Sequence, residues 1–319
     1  MRLIFEFWGE HPDIPRAEVS CLGTVTDHRT QVAVAEIPNP EVLGRLAYTH
    51  RVMRHQGECH ADEESFVRML TGLDLIADRP FCGRVKKMDG HLMKTPSTHL
   101  EKLIGNHIQG QVSVSAPEIV YRAIISGDRI YFGEVIWEIE RGPYHERKPG
   151  NRDFFHPGVM MPRMIRALVN LSHAMPGEII LDPFCGTGGT QIEVDMLGCQ
   201  AIGTDADPLM IQGSRLNLPE SNAAVADVRY LPFPDNSVDH IVSDLPYGHS
   251  VLIIGSGLDD LYRNALAEMR RVTKPNLRSV IVTHRDIRPL VRRYFSICEY
   301  YEQRVHKSLT RRVLVITKR

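Results

Sequence analysis

Residues 179–190 read Ile179-Ile180-Leu181-Asp182-Pro183-Phe184-Cys185-Gly186-Thr187-Gly188-Gly189-Thr190, and this run constrains the fold more than any other. A short apolar strand ends in an acid, glycines give the backbone freedom for a tight turn, and a helix begins at Thr190. Such a strand–turn–helix unit belongs in an open α/β sheet, where ligands bind in the crevice at the carboxyl ends of the strands. The turn is not a P-loop, because Gly-Lys-Ser/Thr is missing, and it also departs from the dinucleotide spacing G-x-G-x-x-G. Taken alone it leaves packing and ligand binding equally open.

Its surroundings narrow the choice. Beyond residue 158, predicted helices (Pro162 to Ser172, Thr190 to Leu197, Pro208 to Asn217) alternate with predicted strands (Glu178 to Leu181, Gln200 to Thr204, Ala223 to Ala226, His240 to Ser243). That rhythm predicts a parallel, doubly wound sheet. The second strand, Ala201-Ile202-Gly203-Thr204-Asp205, ends in an acid about twenty residues after the glycines, where a carboxylate can accept from both hydroxyls of a ribose. A third acid, Asp227, follows the next strand, where an adenine amino group would lie. Each acid alone reads as a helix cap. In this order, the three point to a cofactor that contains adenosine.

Farther along, Ser243-Asp244-Leu245-Pro246-Tyr247-Gly248 supplies what a planar amine needs. An exocyclic amine on a nucleobase is a poor nucleophile, since its lone pair is delocalised into the ring. Asp244 offers a carboxylate acceptor for the N–H bonds, Leu245-Pro246 shapes a loop whose backbone carbonyl is a second acceptor, and Tyr247 offers a flat stacking face.

These motifs resemble those of the class I S-adenosylmethionine-dependent methyltransferases over residues 155–319, with Asp182 to Gly188, Asp205 and Asp227 as the successive cofactor motifs. The resemblance implies a Rossmann-like α/β domain with a seven-stranded sheet, closed by a long strand from Ser296, a turn near Lys307 to Thr310 and a return strand. It implies S-adenosyl-L-methionine as cofactor, held by His156, Pro157, Asp182, Pro183, Cys185, Gly186, Thr187, Gly188, Asp205, Ala206, Asp227, Val228 and Asp244. Asp244, Pro246 and Tyr247 become the catalytic set. The Asp-Leu-Pro-Tyr loop is similar to the Asp/Asn-Pro-Pro-aromatic signature of amino-group methyltransferases, with Leu245 replacing the first proline. Cys185 lies in the cofactor turn, so nothing supports carbon methylation by a cysteine nucleophile.

The front half selects the amine. Residues 1–50 alternate strand-like runs (Leu3 to Phe7, Gln31 to Glu36) with helix-like segments (Pro15 to Leu22, Pro40 to Thr49), an α+β pattern. Within 51–140 come the basic run Phe81 to Lys87, an amphipathic helix from Ser97 to Gln109 and a hairpin of Ile119 to Ile125 with Arg129 to Ile136. Residues 51–140 resemble a THUMP domain, an RNA-binding module, and 1–50 its ferredoxin-like companion. Arg84, Lys86, Lys87, Lys94, His99 and Lys102 would then contact phosphates. On charge alone they read as a solvated basic face.

The polar stretch 141–157, rich in proline, glycine and charge, is expected to link these domains to a methyltransferase domain at 158–319. Asn151-Arg152-Asp153-Phe154-Phe155-His156-Pro157 resembles the Arg-Pro-Phe-Phe-His-Pro stretch of archaeal tRNA guanine-10 N2-methyltransferases, with Asp153 in place of proline. In that family the region helps to bind the methionine end of the cofactor, which implicates His156, Pro157 and Gly158. The implied activity is methylation of N2 of guanine-10 in tRNA, once or twice. Alternatives are another tRNA guanine such as position 6, another RNA, or a non-catalytic RNA-binding partner subunit.

Composition agrees with a globular chain of more than one domain: 319 residues, 43% hydrophobic and 24% charged. No run of about 18 apolar residues predicts a membrane span, and the expected location is the cytoplasm. The net charge of −1 rules out a general electrostatic attraction to nucleic acid, so tRNA binding has to come from local patches. Six cysteines without a C-x-x-C pair suit a reducing compartment, and Glu58-Cys59-His60-Ala61-Asp62 is too contiguous to converge on a metal. The expected molecule is a monomer that binds tRNA, with a small accessory activating protein left open.

Overall fold

The structure is a computed structural model, and it describes residues 1–248, 257–306 and 309–318. The chain divides into two compact units, Met1–Ile139 and Glu140–Arg319.

The first unit contains β1 (Arg2–Phe7), α1 (Ile14–Ser20), β2 (Thr24–Arg29), β3 (Val32–Glu36), β4 (Thr49–His60), α2 (Glu63–Leu73), β5 (Phe81–Lys87), α3 (Ser97–His107), β6 (Ile119–Ser126) and β7 (Arg129–Glu138). One sheet of order β2-β3-β1-β4-β7-β6-β5 runs through all of them, antiparallel except for β5 beside β6. The expected boundary at residue 50 therefore falls inside a strand. β4 pairs with β1 on one side and β7 on the other, joining the two expected segments by backbone hydrogen bonds. The helix expected over Pro40 to Thr49 is a 3₁₀ turn, Pro40–Arg45, because β4 already claims Thr49. Phe66, Phe81, Leu100, Ile104 and Phe132 form the core under α2 and α3, while Ile4, Val34, Met53 and Tyr131 pack on the other face.

The second unit contains α4 (Gly142–Glu146), α5 (Pro162–Leu171), β8 (Ile179–Asp182), α6 (Gly189–Asp195), β9 (Gln200–Asp205), α7 (Pro208–Asn217), β10 (Asn222–Val225), β11 (His240–Asp244), α8 (Leu258–Val272), β12 (Arg278–Thr283), α9 (Arg288–Val291), β13 (Ser296–His306) and β14 (Leu309–Thr317). They build a seven-stranded sheet of order β10-β9-β8-β11-β12-β14-β13. The first five strands are parallel, and β14 runs antiparallel between β12 and β13. This is the α/β class expected. Of the expected closing turn, Lys307 and Ser308 lie outside the described residues.

The strand order reverses at β8, whose two neighbours β9 and β11 both end in an acid pointing toward the same crevice region. α8 covers the sheet beside it with Leu261, Tyr262, Ala265, Leu266, Met269 and Val272, an apolar stripe at helical spacing. Its ends are matched to the helix dipole, with Asp259 and Asp260 in the first turn and Arg270 and Arg271 in the last.

The stretch 141–157 does not behave as a free linker. It folds into α4 and a 3₁₀ turn at Pro149–Asn151, buries Tyr144 and Pro149, and belongs to the second unit. Glu193 on α6 is fully buried, and a buried carboxylate requires paired cations. Arg147 from this stretch (2.8 Å) and Arg166 from α5 (2.8 Å) supply them. One of the charges that mark a linker in the sequence, Arg147, is in fact a counter-ion of this buried glutamate.

Candidate active site

The glycine turn owes its shape to two backbone positions. Gly186 (φ +49°) and Gly188 (φ +82°) both lie in the left-handed region. A Cβ on Gly188 would also meet Ser214 Oγ at 2.6 Å. The turn is then tied to the next strand. The amide of Gly186 donates to Asp205 Oδ2 (3.0 Å), and the amide of Asp207 donates to Asp205 Oδ1 (2.9 Å). Two of the roughly four lone-pair positions of this carboxylate are thus occupied, and the remainder face a cleft.

That cleft, about 300 Å³, is lined by His156, Pro157, Gly158, Gly186, Asp205, Ala206, Asp244, Pro246 and Tyr247 from the expected set. A recess of about 150 Å³ beside it adds Asp182, Cys185 and Thr187. Gly188 and Pro183 shape the turn without lining either space, and the same holds for Asp227 and Val228. Val228 is buried in the core, and Asp227 forms an ion pair with Arg229 at 2.5 Å that holds its carboxyl below the usual range.

Three acids are gathered here with little compensation. Burial pushes the Asp182 carboxyl up to about 6, even though Ser243 Oγ donates to it at 2.6 Å and the Phe184 amide at 3.1 Å. Burial likewise raises Asp205 above the ordinary carboxylate value. Asp244, half-buried at the edge of the cleft, is pushed up to about 7 by desolvation; the Arg311 guanidinium and the Tyr247 hydroxyl oppose the shift. Carboxylates held at such cost fit a ligand that brings positive charge. Cys185 goes the same way, since burial drives its thiol far up and removes it as a nucleophile.

The acceptor loop is anchored in the core rather than free. Leu245, where a proline was the expected residue, is buried and its amide donates to Val282 O (2.9 Å), extending the sheet by one bond. Proline lacks that donor. The fully buried Tyr262 on α8 donates its hydroxyl to Pro246 O (2.6 Å), so this carbonyl already has one partner. Tyr247 donates its hydroxyl to Asp244 Oδ1 (2.8 Å), and its ring leans on His284 with centroids 4.7 Å apart.

Sequence reasoning missed several residues that make this geometry. Phe184, Asp207 and Met210 also line the cleft, as does Leu245, which the sequence marked only as part of the acceptor loop. Asn217, at the end of α7, donates Nδ2 to Phe154 O and Thr187 O (2.9 Å each) and accepts the Phe154 amide at Oδ1 (2.9 Å). It binds the 151–157 stretch to the glycine turn. Gly213 leaves room for the Phe154 ring, which a Cβ would meet at 2.0 Å. Tyr262 and Arg311 approach the loop from distant elements, and no local pattern announces them.

The expected phosphate-contacting residues lie in the first unit. Lys86, Lys94 and Lys102 are exposed, and Arg84 is half-buried with Nη2 on Val114 O (3.0 Å). Lys87 is committed elsewhere: its ammonium donates to Met93 O (3.2 Å) and Thr95 O (2.7 Å).

The chain is similar to known proteins. Residues 149–313 match the UPF0020 family model, described as an RMKL-like methyltransferase domain. A tRNA (guanine(10)-N2)-dimethyltransferase of Methanothermobacter thermautotrophicus is 31% identical, with 97% of each chain covered. One from Pyrococcus abyssi is 30% identical over 98% of this chain and 99% of its own. Among solved structures, TrmN from Thermus thermophilus shares the fold with a TM-score of 0.56 at 20% identity, covering 100% of both chains.

Proposed function

We propose a substrate and a mechanism from one premise: this chain belongs to the RMKL-like methyltransferase family and, within it, to the family of tRNA (guanine(10)-N2)-dimethyltransferases. It is an S-adenosylmethionine-dependent tRNA guanine-N2 methyltransferase acting on guanine-10. The observation that carries the mechanism is that Asp205 and the Asp244–Tyr247 loop line one cleft.

The residues present fit the cofactor. The glycine turn brings backbone close to the cleft, Asp205 has lone pairs left for ribose hydroxyls, and the buried acids suit a ligand carrying sulfonium and ammonium charges. Asp182, Thr187 and Gly186 would hold its amino-acid end together with His156, Pro157 and Gly158. Asp205 and Ala206 would hold the ribose. When bound, S-adenosylmethionine supplies an electrophilic methyl group. Because that group is already activated, the chain's own contribution is orientation.

Asp244 accepts an N–H of the guanine amine, which turns the nitrogen lone pair toward the methyl group. The backbone carbonyls of Leu245-Pro246 provide the second acceptor, and Tyr262 fixes their direction. Tyr247 presents its ring to a guanine taken out of its helix. The nitrogen sheds a proton as it gains a methyl, and a carboxyl titrating near 7 is suited to take it. The names of the full-length relatives support a second transfer to the same nitrogen.

The first unit is proposed to grip the tRNA, with 1–50 as the ferredoxin-like part and 51–140 as the THUMP part of its single sheet. Arg84, Lys86, Lys94 and Lys102 are the phosphate contacts in this reading. No helix among the described residues is long and apolar enough to cross a membrane, and a monomer acting in the cytoplasm is the proposed working form. A small accessory activating protein is the alternative that copurification tests.

Incubation with a tRNA transcript and S-adenosylmethionine, followed by mass spectrometry of nuclease fragments, tests the whole. The expected product carries N2-methylated guanine at position 10, and a transcript with adenine there gains nothing. A methyl group mapped to position 6 would move the substrate assignment, and no transfer to any amine would overturn it.

A further inference from the structure

We propose that Ser243 is a positioning residue for the cofactor: by donating its hydroxyl to Asp182, it fixes which oxygen of that carboxylate receives the ammonium at the cofactor's amino-acid end. The inference rests on the reading of Asp182 as a support of that end and deepens it.

Two donors meet on one atom. Ser243 Oγ lies 2.6 Å from Asp182 Oδ1, and the Phe184 amide lies 3.1 Å from the same oxygen. An ionised carboxylate only accepts, so the serine proton must point at Oδ1. With a donor on each of its lone pairs, Oδ1 is filled. Oδ2 is the oxygen left for a ligand in the recess that Asp182 borders.

The bond also joins two strands. β8 and β11 pair at Ile180 with His240 and at Leu181 with Ile241. Beyond that ladder, at the carboxyl ends of the strands, the Ser243–Asp182 bond ties the start of the glycine turn to the residue before Asp244. Both residues are buried, so little water competes for the bond. A short hydroxyl contact to a charged acceptor is among the stronger hydrogen bonds.

Ser243 lines neither the cleft nor the recess, so its effect on a ligand runs through Asp182. The charged groups that face Asp182 from the neighbouring strands are Asp205 on β9 and Asp244 on β11, and both have its own sign. Cys185, in the turn, is held as a neutral thiol by burial. Support for the ionised form comes from hydrogen bonds, with Ser243 ahead of Thr190 and the Phe184 amide. Thr190 borders the recess, so replacing it would also change the wall that a ligand meets. Ser243 is the cleaner probe.

A protonated Asp182 would carry its proton on Oδ2, leaving the ammonium with a donor in place of its acceptor. Affinity should therefore fall as pH drops through the Asp182 value of about 6. Losing the Ser243 hydrogen bond disfavours the charged form, raises that value and moves the fall to higher pH.

The test is calorimetric titration of the full-length protein with two ligands, from about pH 5 to about pH 8. One is S-adenosylmethionine; the other is methylthioadenosine, which keeps the adenosine and a thioether but has no amino-acid end. Ser243→Ala should move the acidic limb for S-adenosylmethionine up by about one unit, about a tenfold loss near pH 5 that closes toward pH 8. Its affinity for methylthioadenosine should match wild type throughout. Ser243→Thr keeps the hydroxyl and should keep the limb. Ser243→Cys, whose thiol is a weak donor, should fall between alanine and wild type. If Ser243→Ala does not fold, the comparison of Ser243→Cys with Ser243→Thr decides on the same criterion. An unshifted limb overturns the proposal, as does an equal loss for both ligands or a wild-type affinity that does not fall with acid. A wild-type protein that binds neither ligand overturns the functional reading instead.

Discussion

Asn217 and Phe154 hold each other through reciprocal hydrogen bonds, the side-chain amide giving to one carbonyl and taking from the matching amide, each at 2.9 Å. A third bond from the same amide reaches Thr187 O in the glycine turn. One side chain thus sets the distance between the two backbone segments that border the recess. Asn217→Ala should weaken S-adenosylmethionine binding by about tenfold, or about 1.4 kcal/mol, in line with the loss of buried hydrogen bonds. Calorimetric affinity equal to wild type would remove this residue from the site.

The Phe154 ring lies over Gly213, where a Cβ would come within 2.0 Å of it. Gly213→Ala should destabilise the second unit by about 1–3 kcal/mol, the usual range for overpacking. In a Phe154→Ala background the same substitution should cost little. Denaturant titration of the four proteins checks this, and an equal cost in both backgrounds would mean that the ring is not the obstacle.

Asp244→Asn should reduce methyl transfer by at least about a hundredfold while S-adenosylmethionine affinity stays within a few-fold, because the amide keeps the shape and loses the charge. It should also alter the pH dependence of stability. A carboxyl raised to about 7 in the folded state costs stability progressively as pH climbs from its unfolded value near 4, and the cost is complete above about 7. The variant should therefore melt higher than wild type at pH 8 and show no such gain at pH 4. Parallel melting curves at both pH values would contradict the assignment.

Asp205 and Asp227 are expected to separate. Asp205 borders the cleft and organises the glycine turn, whereas Asp227 is occupied by Arg229. Asp205→Ala should lower cofactor affinity by about a hundredfold, since it removes both ribose acceptors and a support of the turn. Asp227→Ala should lower it less than about fivefold. Equal losses would place Asp227 back in the site.

Among the basic residues of the first unit, Lys87 should differ from the others. Its ammonium is held by two backbone carbonyls, so Lys87→Ala should lower the melting temperature and leave the salt dependence of tRNA binding unchanged. Lys102→Ala should reduce the slope of log K against log salt by about one unit. Filter binding over a range of salt concentrations distinguishes them.

The parts of the site legible in the sequence are those encoded by neighbouring residues. A glycine turn after a strand and an acid at a strand end follow from local backbone chemistry, so Gly186, Asp205 and Asp244 could be placed before any coordinates. Leu245 could be seen as a departure but not explained, because its amide partner, Val282, lies on another strand. Asn217, Tyr262 and Arg311 act across the fold and carry no local signature. The same limit governs the first unit. β4 reads as a mixture of histidine, arginine and glutamate, and only its central place between β1 and β7 makes it a strand. Charges at 141–152 signalled a linker because nothing nearby revealed the buried Glu193.

The fit between Gly213 and Phe154 also bears on how such a sequence can drift. While an aromatic ring occupies position 154, every single-step change at 213 adds a side chain where the ring already lies. Variation at 213 must wait for the ring to be lost, and losing the ring first leaves the surface of α7 at Gly213 uncovered. The two positions are therefore expected to change as a pair or not at all, and a collection of diverged descendants should show glycine at 213 wherever 154 is aromatic.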